Sequence, residues 1–144
     1  MPHARLTPQL QKFIALQISC FLGTADAQAQ PYIQHRGGPP GFLRVLDERT
    51  LAFADYSGNR QYVTVRNLAQ NPKAYLFLID YAQRRRIKLR GEARVDEDPA
   101  LVRHLMPAGY DATPERAIVF TVNAWEANCP SHIPQLALDP AQPL

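Results

Sequence analysis

Apolar and β-forming residues are gathered in short runs along most of this chain, which is the pattern of β-strands. The runs are separated by clusters of glycine, proline and small polar residues. They predict strands at 19–25, 31–37, 42–47, 51–56, 73–80, 84–95 and 116–128. Because most connections are too short for parallel crossovers, we expect an antiparallel sheet that closes, fully or partly, into a barrel.

Two of these runs have residue patterns that predict more than a strand. Residues 73–80 are nearly all apolar, which predicts a central strand buried on both faces. Residues 84–95 instead place Ile87 on a core face and Arg86 and Lys88 on the opposite face. That cationic face is explained equally well by a ligand site or by an edge strand kept charged against aggregation.

Three helices are predicted. Thr7 and Pro8 are an N-cap and a first helical residue for a short amphipathic helix. A second helix is predicted at 59–70. It should end before Asn71, because a residue that precedes a proline is disfavoured in helical conformation. The third begins at Asp98-Pro99. With so few helices among the strands, the chain is expected to be mainly β.

Composition indicates one globular domain over residues 1–144, with an irregular C-terminal tail from about residue 129. Hydrophobic residues make up 46% and charged residues 20% of the chain. No apolar run approaches the roughly 20 residues that cross a bilayer, so no membrane partner is expected. The two cysteines are too few for a disulfide framework, which favours free thiols and a cytoplasmic location.

Positive charge is concentrated locally. The net charge is only +3, yet residues 84–90 hold five cations in seven positions. A nucleic-acid partner would favour a domain-wide basic stripe with interleaved aromatic residues, whereas acidic residues flank this cluster. Nucleic-acid binding is therefore not expected.

The stretch "DYSGNRQYVTVRNLAQNP" (55–72) carries the first candidate for ligand chemistry. A tight turn, Ser57-Gly58-Asn59, delivers Arg60 to a predicted helix start. The first backbone N–H groups of a helix lack internal partners and carry positive dipole charge, so an arginine beside them suits a phosphate. An ordinary helix start is the alternative.

Two further motifs combine polar side chains with a loop. In "QHRGGPPGF" (34–42), donor side chains enter a glycine and proline loop to which a ligand could approach closely, although a hairpin with incidental polar residues explains it too. In "NCPSH" (128–132), Cys129 and His132 have the spacing of two zinc ligands, but the second pair is absent. We expect no metal site.

Motifs for nucleophilic or nucleotide chemistry are absent from the sequence. It has no Gly-x-Ser-x-Gly elbow, no phosphate-loop glycine-lysine motif and no Gly-x-Gly-x-x-Gly motif. The catalytic residues are therefore unknown, and a bound cofactor would have to supply reactive chemistry.

Taken together, "QHRGGPPGFLRVLD", "LAFADYSGNRQYVTVRNLAQNP", "AYLFLID", "RRRIKLRGEARV" and "AWEANCPSHIP" resemble the pyridoxamine 5′-phosphate oxidase-related flavoproteins. These are the FMN-binding split barrels, and the resemblance covers roughly residues 10–134. It implies a six-stranded antiparallel FMN-binding split barrel that forms a homodimer with FMN at the subunit interface.

The resemblance also implies which residues bind FMN. One strand follows the flavin ring and phosphate, a strand end and turn lie beside the cofactor, and the following turn and helix start bind the phosphate. A strand arginine reaches the polar edge of the ring, and a corner lies near the ring. In that order these residues are Gln34, His35 and Arg36; Asp55 and Ser57; Asn59, Arg60 and Gln61; Arg86; and Asn128 and Cys129.

The function implied is an FMN-dependent oxidoreductase of unknown substrate, with NADH, NADPH or a small organic molecule as the donor. The alternatives are a flavin-binding or sensing module without turnover, and a split barrel that holds haem or another flavin-like ligand. Gln61 stands where the oxidases of the family commonly have lysine, and Ser131 stands where the branch of the family with a QHRGG loop commonly has glutamine. The C-terminal segment with which the true oxidases bind substrate has no counterpart here, so oxidation of pyridoxamine phosphate is not expected.

Overall fold

The computed structural model of the protein describes residues 3–56 and 62–136. Within these ranges the fold is mainly β, as predicted, and it has seven strands where the resemblance implied six. The elements in chain order are α1 (Pro8–Leu16), β1 (Ser19–Ala25), β2 (Pro31–Gly37), β3 (Arg44–Asp47), β4 (Thr50–Tyr56), α2 (Val63–Gln70), β5 (Lys73–Asp80), β6 (Arg85–Asp96), α3 (Pro99–Leu105) and β7 (Pro114–Asn128).

The strands form a single sheet in the order β2-β1-β5-β6-β7-β4-β3, and every pairing is antiparallel. The first and sixth strands of that order approach each other, because Arg36 Nε on β2 lies 2.8 Å from Asp55 Oδ1 on β4. The sheet therefore curls into a barrel. In the described residues β2 and β4 share no backbone ladder, so the barrel is split between them.

The barrel interior is filled by side chains from one face of each strand. Leu22, Leu76, Leu89 and Phe120 are fully buried there. Burying each such side chain stabilises the fold by roughly 1.5–3 kcal/mol. Helix α1 closes one end with three buried apolar residues, Leu10, Phe13 and Ile14. Its predicted cap is confirmed, since Thr7 Oγ1 accepts a hydrogen bond from the Leu10 N–H at 3.2 Å.

A second apolar cluster lies outside the barrel, where α3 packs on β4 and β7. It contains Ala52, Ala54, Val102, Leu105, Ala117 and Val119. Asp98 caps α3 by accepting from the Ala100 N–H at 3.1 Å. Strands β4 and β7 are consequently buried on both faces along this contact.

The prediction that residues 73–80 are buried on both faces is wrong for the single chain. Strand β5 does lie inside the sheet, between β1 and β6. Its side chains nevertheless alternate, with Leu76 and Leu78 fully buried and Tyr75 46% exposed. The reason is that, in the described ranges, no helix packs on the outer face of β5 as α3 does on β4 and β7.

The second helix begins later than the pattern predicted. Its described part starts at Val63, with Tyr62 as a non-helical N-cap residue. Positions 59–61 of the predicted helix lie outside the described residues. The predicted end is confirmed, because Asn71 has extended backbone at the C-cap, before Pro72. None of the described helices is long and apolar enough to cross a bilayer.

Candidate functional site

A buried carboxylate between two arginines lies where the barrel is split. Asp55 Oδ1 accepts from Arg36 Nε at 2.8 Å, and Asp55 Oδ2 accepts from an Arg116 η nitrogen at 3.0 Å. The three side chains are only 7–15% exposed. Arg116 also donates to Glu115 Oε2 at 2.8 Å. Strands β2, β4 and β7 are thus joined through one ionic cluster.

Arg116 was missed from the sequence, although it contacts two elements of the predicted site. Its guanidinium carbon lies 5.2 Å from the centre of the Tyr62 ring, at the start of α2. Burial lowers the pKa of Arg116, but its hydrogen bond to Asp55 and the charges of Asp55 and Glu115 together raise it above the ordinary value. Nothing in the sequence signalled this role, because only the register of β4 and β7 places Arg116 opposite Asp55.

Helix α2 is attached to the neighbouring strands by buried polar contacts. Thr64 Oγ1 donates to Gln34 Oε1 at 2.8 Å, and Asn67 Nδ2 donates to Thr24 Oγ1 at 3.0 Å. The first turn of α2 holds no acidic residue, and Tyr62 makes no side-chain capping bond. In the described chain the opening N–H groups of α2 therefore have no side-chain cap.

The predicted residues of β2 point to two different sides of the sheet. Leu22 pairs with Gln34 and is fully buried, so Gln34 and Arg36 face the barrel interior. His35 faces outward, and its ring centre lies 5.3 Å from that of Phe21. The cross-strand row of His35 continues through Phe21, Phe77, Lys88 and Glu126.

Three other predicted residues, Arg86, Asn128 and Cys129, meet at the end of the β6–β7 pair that lies far from α3. Arg86 pairs with Asn128, and an Arg86 η nitrogen donates to the Cys129 carbonyl at 2.8 Å. Arg86 Nε and Asn128 Oδ1 are both buried and lack hydrogen-bond partners among the described residues. Buried polar atoms of this kind are rare in folded proteins and often mark functional positions.

The structure does not bring the two groups together within one chain. Arg86 and Asn128 lie two residues from Lys88 and Glu126 along their strands, so they share the outer face with His35. Arg36 faces inward, and three strand spacings separate it from Arg86, or about 14 Å along the sheet. Arg36 and Asp55 therefore form one group, and Arg86, Asn128 and Cys129 form another.

The two cysteines have opposite environments. Burial raises the pKa of the Cys20 thiol to about 12, against a smaller lowering by the charge of Arg36. Cys129 is exposed, and its Sγ lies 3.0 Å from Ser131 Oγ. Hydrogen bonds from Ser131 and the charge of Arg86 lower the pKa of Cys129 below its usual value. Cys129 is the more nucleophilic thiol at neutral pH.

Four of the predicted site residues, Ser57, Asn59, Arg60 and Gln61, lie outside the described residues. Among the residues that are described, no three His, Cys, Asp or Glu side chains lie together as a metal site requires. Cys129 and His132 therefore have no additional ligand of these types nearby in that part of the chain.

The fold and the site geometry define the class of protein: it is an antiparallel split barrel with an arginine cluster beside the start of a helix. A family model described as pyridoxamine 5′-phosphate oxidase matches residues 6–129. The chain belongs to that family. No protein with curated annotation matches it significantly.

Solved structures with the same fold share little sequence with the chain. HupZ of Group A Streptococcus is 19% identical with a TM-score of 0.68, over 84% of this chain and 93% of HupZ. A Clostridium acetobutylicum protein related to general stress protein 26 of the pyridoxinephosphate oxidase family is 17% identical with a TM-score of 0.63, over 83% and 85%. An FAD-binding protein of Mycobacterium smegmatis is 15% identical with a TM-score of 0.54, over 87% and 98%.

Proposed function

We propose that this protein is a single-domain, FMN-dependent oxidoreductase that works as a homodimer in the cytoplasm. The observation that carries the proposal is the pair of arginines held by buried Asp55 beside the start of α2. Membership of the pyridoxamine 5′-phosphate oxidase family and the likeness to an FAD-binding protein support a flavin ligand. When bound, the flavin would supply the hydride or electron transfer.

The arginine cluster has the properties needed at the phosphate end of FMN. A phosphate monoester carries close to two negative charges, and guanidinium groups recognise it with paired hydrogen bonds. Asp55 occupies one side of Arg36, which fixes its orientation and leaves other N–H groups for a ligand. The N–H groups at the start of α2, which lack a side-chain cap in the described chain, would add a favourable dipole. Gln34 would help to hold α2 in place through Thr64.

Arg86 has the charge needed near the flavin ring. A cation close to the pyrimidine edge stabilises the reduced, anionic ring and raises its reduction potential. Asn128 and Cys129 would lie next to the ring because they are joined to Arg86 by strand pairing and by the Cys129 carbonyl. His35, on the same outer face, would lie along the ring.

The division of these residues between two faces supports a dimer. One FMN could contact both groups if one subunit supplied the arginine cluster and its partner supplied Arg86, Asn128 and Cys129. The outer face of the sheet also exposes Tyr75 and Ile33, by 46% and 70% respectively. Contiguous exposed apolar side chains of this kind are typical of protein interfaces.

The first test is to identify the ligand of the purified protein. We expect a yellow protein that releases FMN on denaturation, as identified by mass spectrometry, and whose flavin absorption is bleached by NADH, NADPH or an organic donor in air-free buffer. Release of haem would contradict the proposal, and a flavin inert to all these donors would favour a binding or sensing module instead.

The second test changes the arginine cluster. Arg36→Gln should weaken FMN binding by about 2–5 kcal/mol, the range for truncating a buried, charged hydrogen-bond partner. A similar loss is expected for Arg60→Ala. Arg66→Gln is the control, because Arg66 is exposed on α2 and should change binding by less than about 0.5 kcal/mol. Equal titration curves for Arg36→Gln and Arg66→Gln would remove Arg36 from the site.

A further inference from the structure

The buried face of α2 is mostly polar. Of the buried side chains of this helix, Thr64 and Asn67 are polar and Leu68 is apolar. Thr64 is 1% exposed and Asn67 is 6% exposed. A surface helix of a globular protein ordinarily packs on its core through an apolar stripe. The polar residues of α2 therefore have a role other than the burial of apolar surface.

Each of the two polar side chains has a partner on a different strand. Thr64 Oγ1 donates to Gln34 Oε1 on β2 at 2.8 Å, and Asn67 Nδ2 donates to Thr24 Oγ1 on β1 at 3.0 Å. Thr24 and Gln34 are themselves buried. Both hydrogen bonds are consequently shielded from water. These four residues form the polar contact of α2.

The polar contact restricts the orientation of α2 more narrowly than apolar packing would. Residues 64 and 67 lie about one turn apart on the same face of the helix. Two bonds to two strands resist both rotation of the helix about its axis and sliding along it. Hydrogen bonds weaken steeply when their angle changes, whereas hydrophobic contacts have no preferred direction. Paired, buried polar groups of this kind make a structure rigid and specific.

The strand that accepts from Thr64 also carries an arginine of the proposed phosphate site. Gln34 and Arg36 are two residues apart on β2, so both face the barrel interior, about 7 Å apart along the strand. The arginine cluster contacts the start of the helix as well, because Arg116 lies over the Tyr62 ring. These contacts set the distance between Arg36 and the first N–H groups of α2.

We propose that Thr24, Thr64 and Asn67 are positioning residues for the charged end of the ligand. With Gln34 they hold the opening N–H groups of α2 at the distance and angle from Arg36 that a phosphate dianion requires. The inference rests on the proposed function, in which the phosphate lies between Arg36 and the start of α2. The three residues act through the helix and do not contact the ligand, so their contribution is preorganisation of the site.

A comparison of FMN with riboflavin measures this role, because the two ligands differ only in the phosphate. Titration of the flavin-free protein, followed by quenching of flavin fluorescence, would give both affinities. We expect the wild-type protein to bind FMN at least about a hundredfold more tightly than riboflavin, since only FMN reaches the buried, charged donors.

Thr64→Val removes the hydroxyl and keeps the shape of the side chain. It should weaken FMN binding about tenfold and riboflavin binding less than about twofold, because only the phosphate depends on the placement of the helix start. Thr64→Ser retains the hydroxyl and should keep the preference for FMN. Val102→Ala is the control for lost stability: Val102 is buried in the separate cluster under α3, so the ratio of the two affinities should not change.

A double variant separates positioning from stability. Thr24→Val and Asn67→Leu together replace one hydrogen-bonded pair with apolar side chains that have the same number of heavy atoms. Replacing both partners of a buried hydrogen bond in this way can be nearly neutral for stability, so the melting temperature should change by less than about 4 °C. The preference for FMN over riboflavin should nevertheless fall about tenfold.

The outcomes distinguish this inference from the proposed function. A wild-type protein that binds no FMN, or binds it no more tightly than riboflavin, would contradict the phosphate site of the proposed function and the inference with it. A wild-type preference for FMN that persists in Thr64→Val and in the double variant would overturn the positioning role alone. Equal weakening of both ligands together with a lower melting temperature would also overturn it, because the polar contact would then only stabilise the fold.

Discussion

Asp55 is the residue on which the interior polar contacts depend. Its carboxylate is 7% exposed and accepts from two arginines on different strands. A buried ion pair costs desolvation free energy to form, but losing one member leaves charges without compensation. At Asp55 that loss would leave Arg36 and Arg116 facing each other across the split of the barrel.

We therefore expect Asp55→Asn to lower the free energy of unfolding of the ligand-free protein by about 3–5 kcal/mol. Chemical denaturation followed by circular dichroism would measure this change. Glu48→Gln is the control, because the Arg5–Glu48 pair is exposed on both sides and should contribute less than about 1 kcal/mol. A similar loss in the two variants would show that the cluster does not stabilise the fold.

The second residue-scale prediction concerns the thiols. Because a lowered pKa produces thiolate at lower pH, alkylation of Cys129 by iodoacetamide should reach half its maximal rate below pH 9.0, the ordinary thiol pKa. Removing the hydroxyl in Ser131→Ala should move that midpoint upward. Cys20, buried and with its pKa raised to about 12, should stay unmodified in the folded protein.

Peptide mass spectrometry after timed alkylation would distinguish the two cysteines. Modification of Cys20 at a rate comparable to that of Cys129 would contradict the described environments. If Cys129 reached half its maximal alkylation rate at the same pH in Ser131→Ala as in the wild-type protein, the Ser131 hydroxyl would not stabilise the thiolate.

At the scale of elements, the pairing of β6 with β7 holds the barrel together and positions Arg86. The register shifts between Arg90 and Gly91, where Asn123 is an extra residue on β7 without a partner in the register. Gly91 is required there, because a Cβ atom at this position would overlap the Thr121 carbonyl oxygen. Glycine is required because the two backbones approach closely at this position, and not because the backbone adopts a positive φ angle.

Gly91→Ala should therefore destabilise the protein by about 3 kcal/mol, since backbone must move to admit the methyl group. Gly23→Ala, on β1, is the matched control: its added Cβ would lie 3.7 Å from Tyr75 Cβ, an ordinary contact, and should change stability by less than about 1 kcal/mol. Thermal denaturation of both variants at one protein concentration would test this. Equal melting temperatures would contradict the close approach at Gly91.

At the scale of the whole molecule, the outer face of β1, β5 and β6 is the surface on which the proposed dimer depends. It carries exposed Tyr75 beside Lys88, Arg90 and Glu92, and exposed Ile33 lies next to it on β2, so apolar side chains are mixed with charges of both signs. A self-complementary surface of this composition suits a two-fold interface, in which opposite charges of the two copies can pair.

Tyr75→Lys should convert the proposed dimer to a monomer, because it replaces an apolar contact with a repeated positive charge at the two-fold interface. Sedimentation velocity would measure the change, and flavin content should fall with it if FMN lies between subunits. Leu46→Lys is the control, because Leu46 is also an exposed apolar residue, 40% accessible, but lies on the edge strand β3. A Tyr75→Lys protein that still sedimented as a dimer would place the interface elsewhere.

The sequence predicted the elements well where the signals were local. The bounds of β1, β2 and β5 were predicted to the residue, because β-prone runs end there at turn-forming residues. Thr7, Pro8 and Asp98 gave correct helix starts through capping chemistry. Strand β3 was predicted two residues too long, because buried Phe42 and Leu43 resemble strand residues but lie in the preceding loop.

The candidate site was less accessible from sequence. Gln34, Arg36 and Asp55 were proposed as ligand residues through a family resemblance, and that assignment stays a prediction. Arg116 could not be found in this way, because it is 61 residues from Asp55 and meets it only through the register of β4 and β7. The exposed outer face of β5 was missed because an apolar run does not show whether one face of the strand or both are covered.

By itself, then, the sequence determined the antiparallel, mainly β fold and the side chains available for binding, because alternation, caps and turns act between neighbours in the chain. Only the tertiary structure decided which charges meet: it joined Asp55 to Arg116, directed Arg36 inward and Arg86 outward, and joined α2 to β1 and β2 through buried polar side chains. The physical reason is that strand register and barrel closure set distances between residues far apart in sequence, and no local pattern encodes those distances.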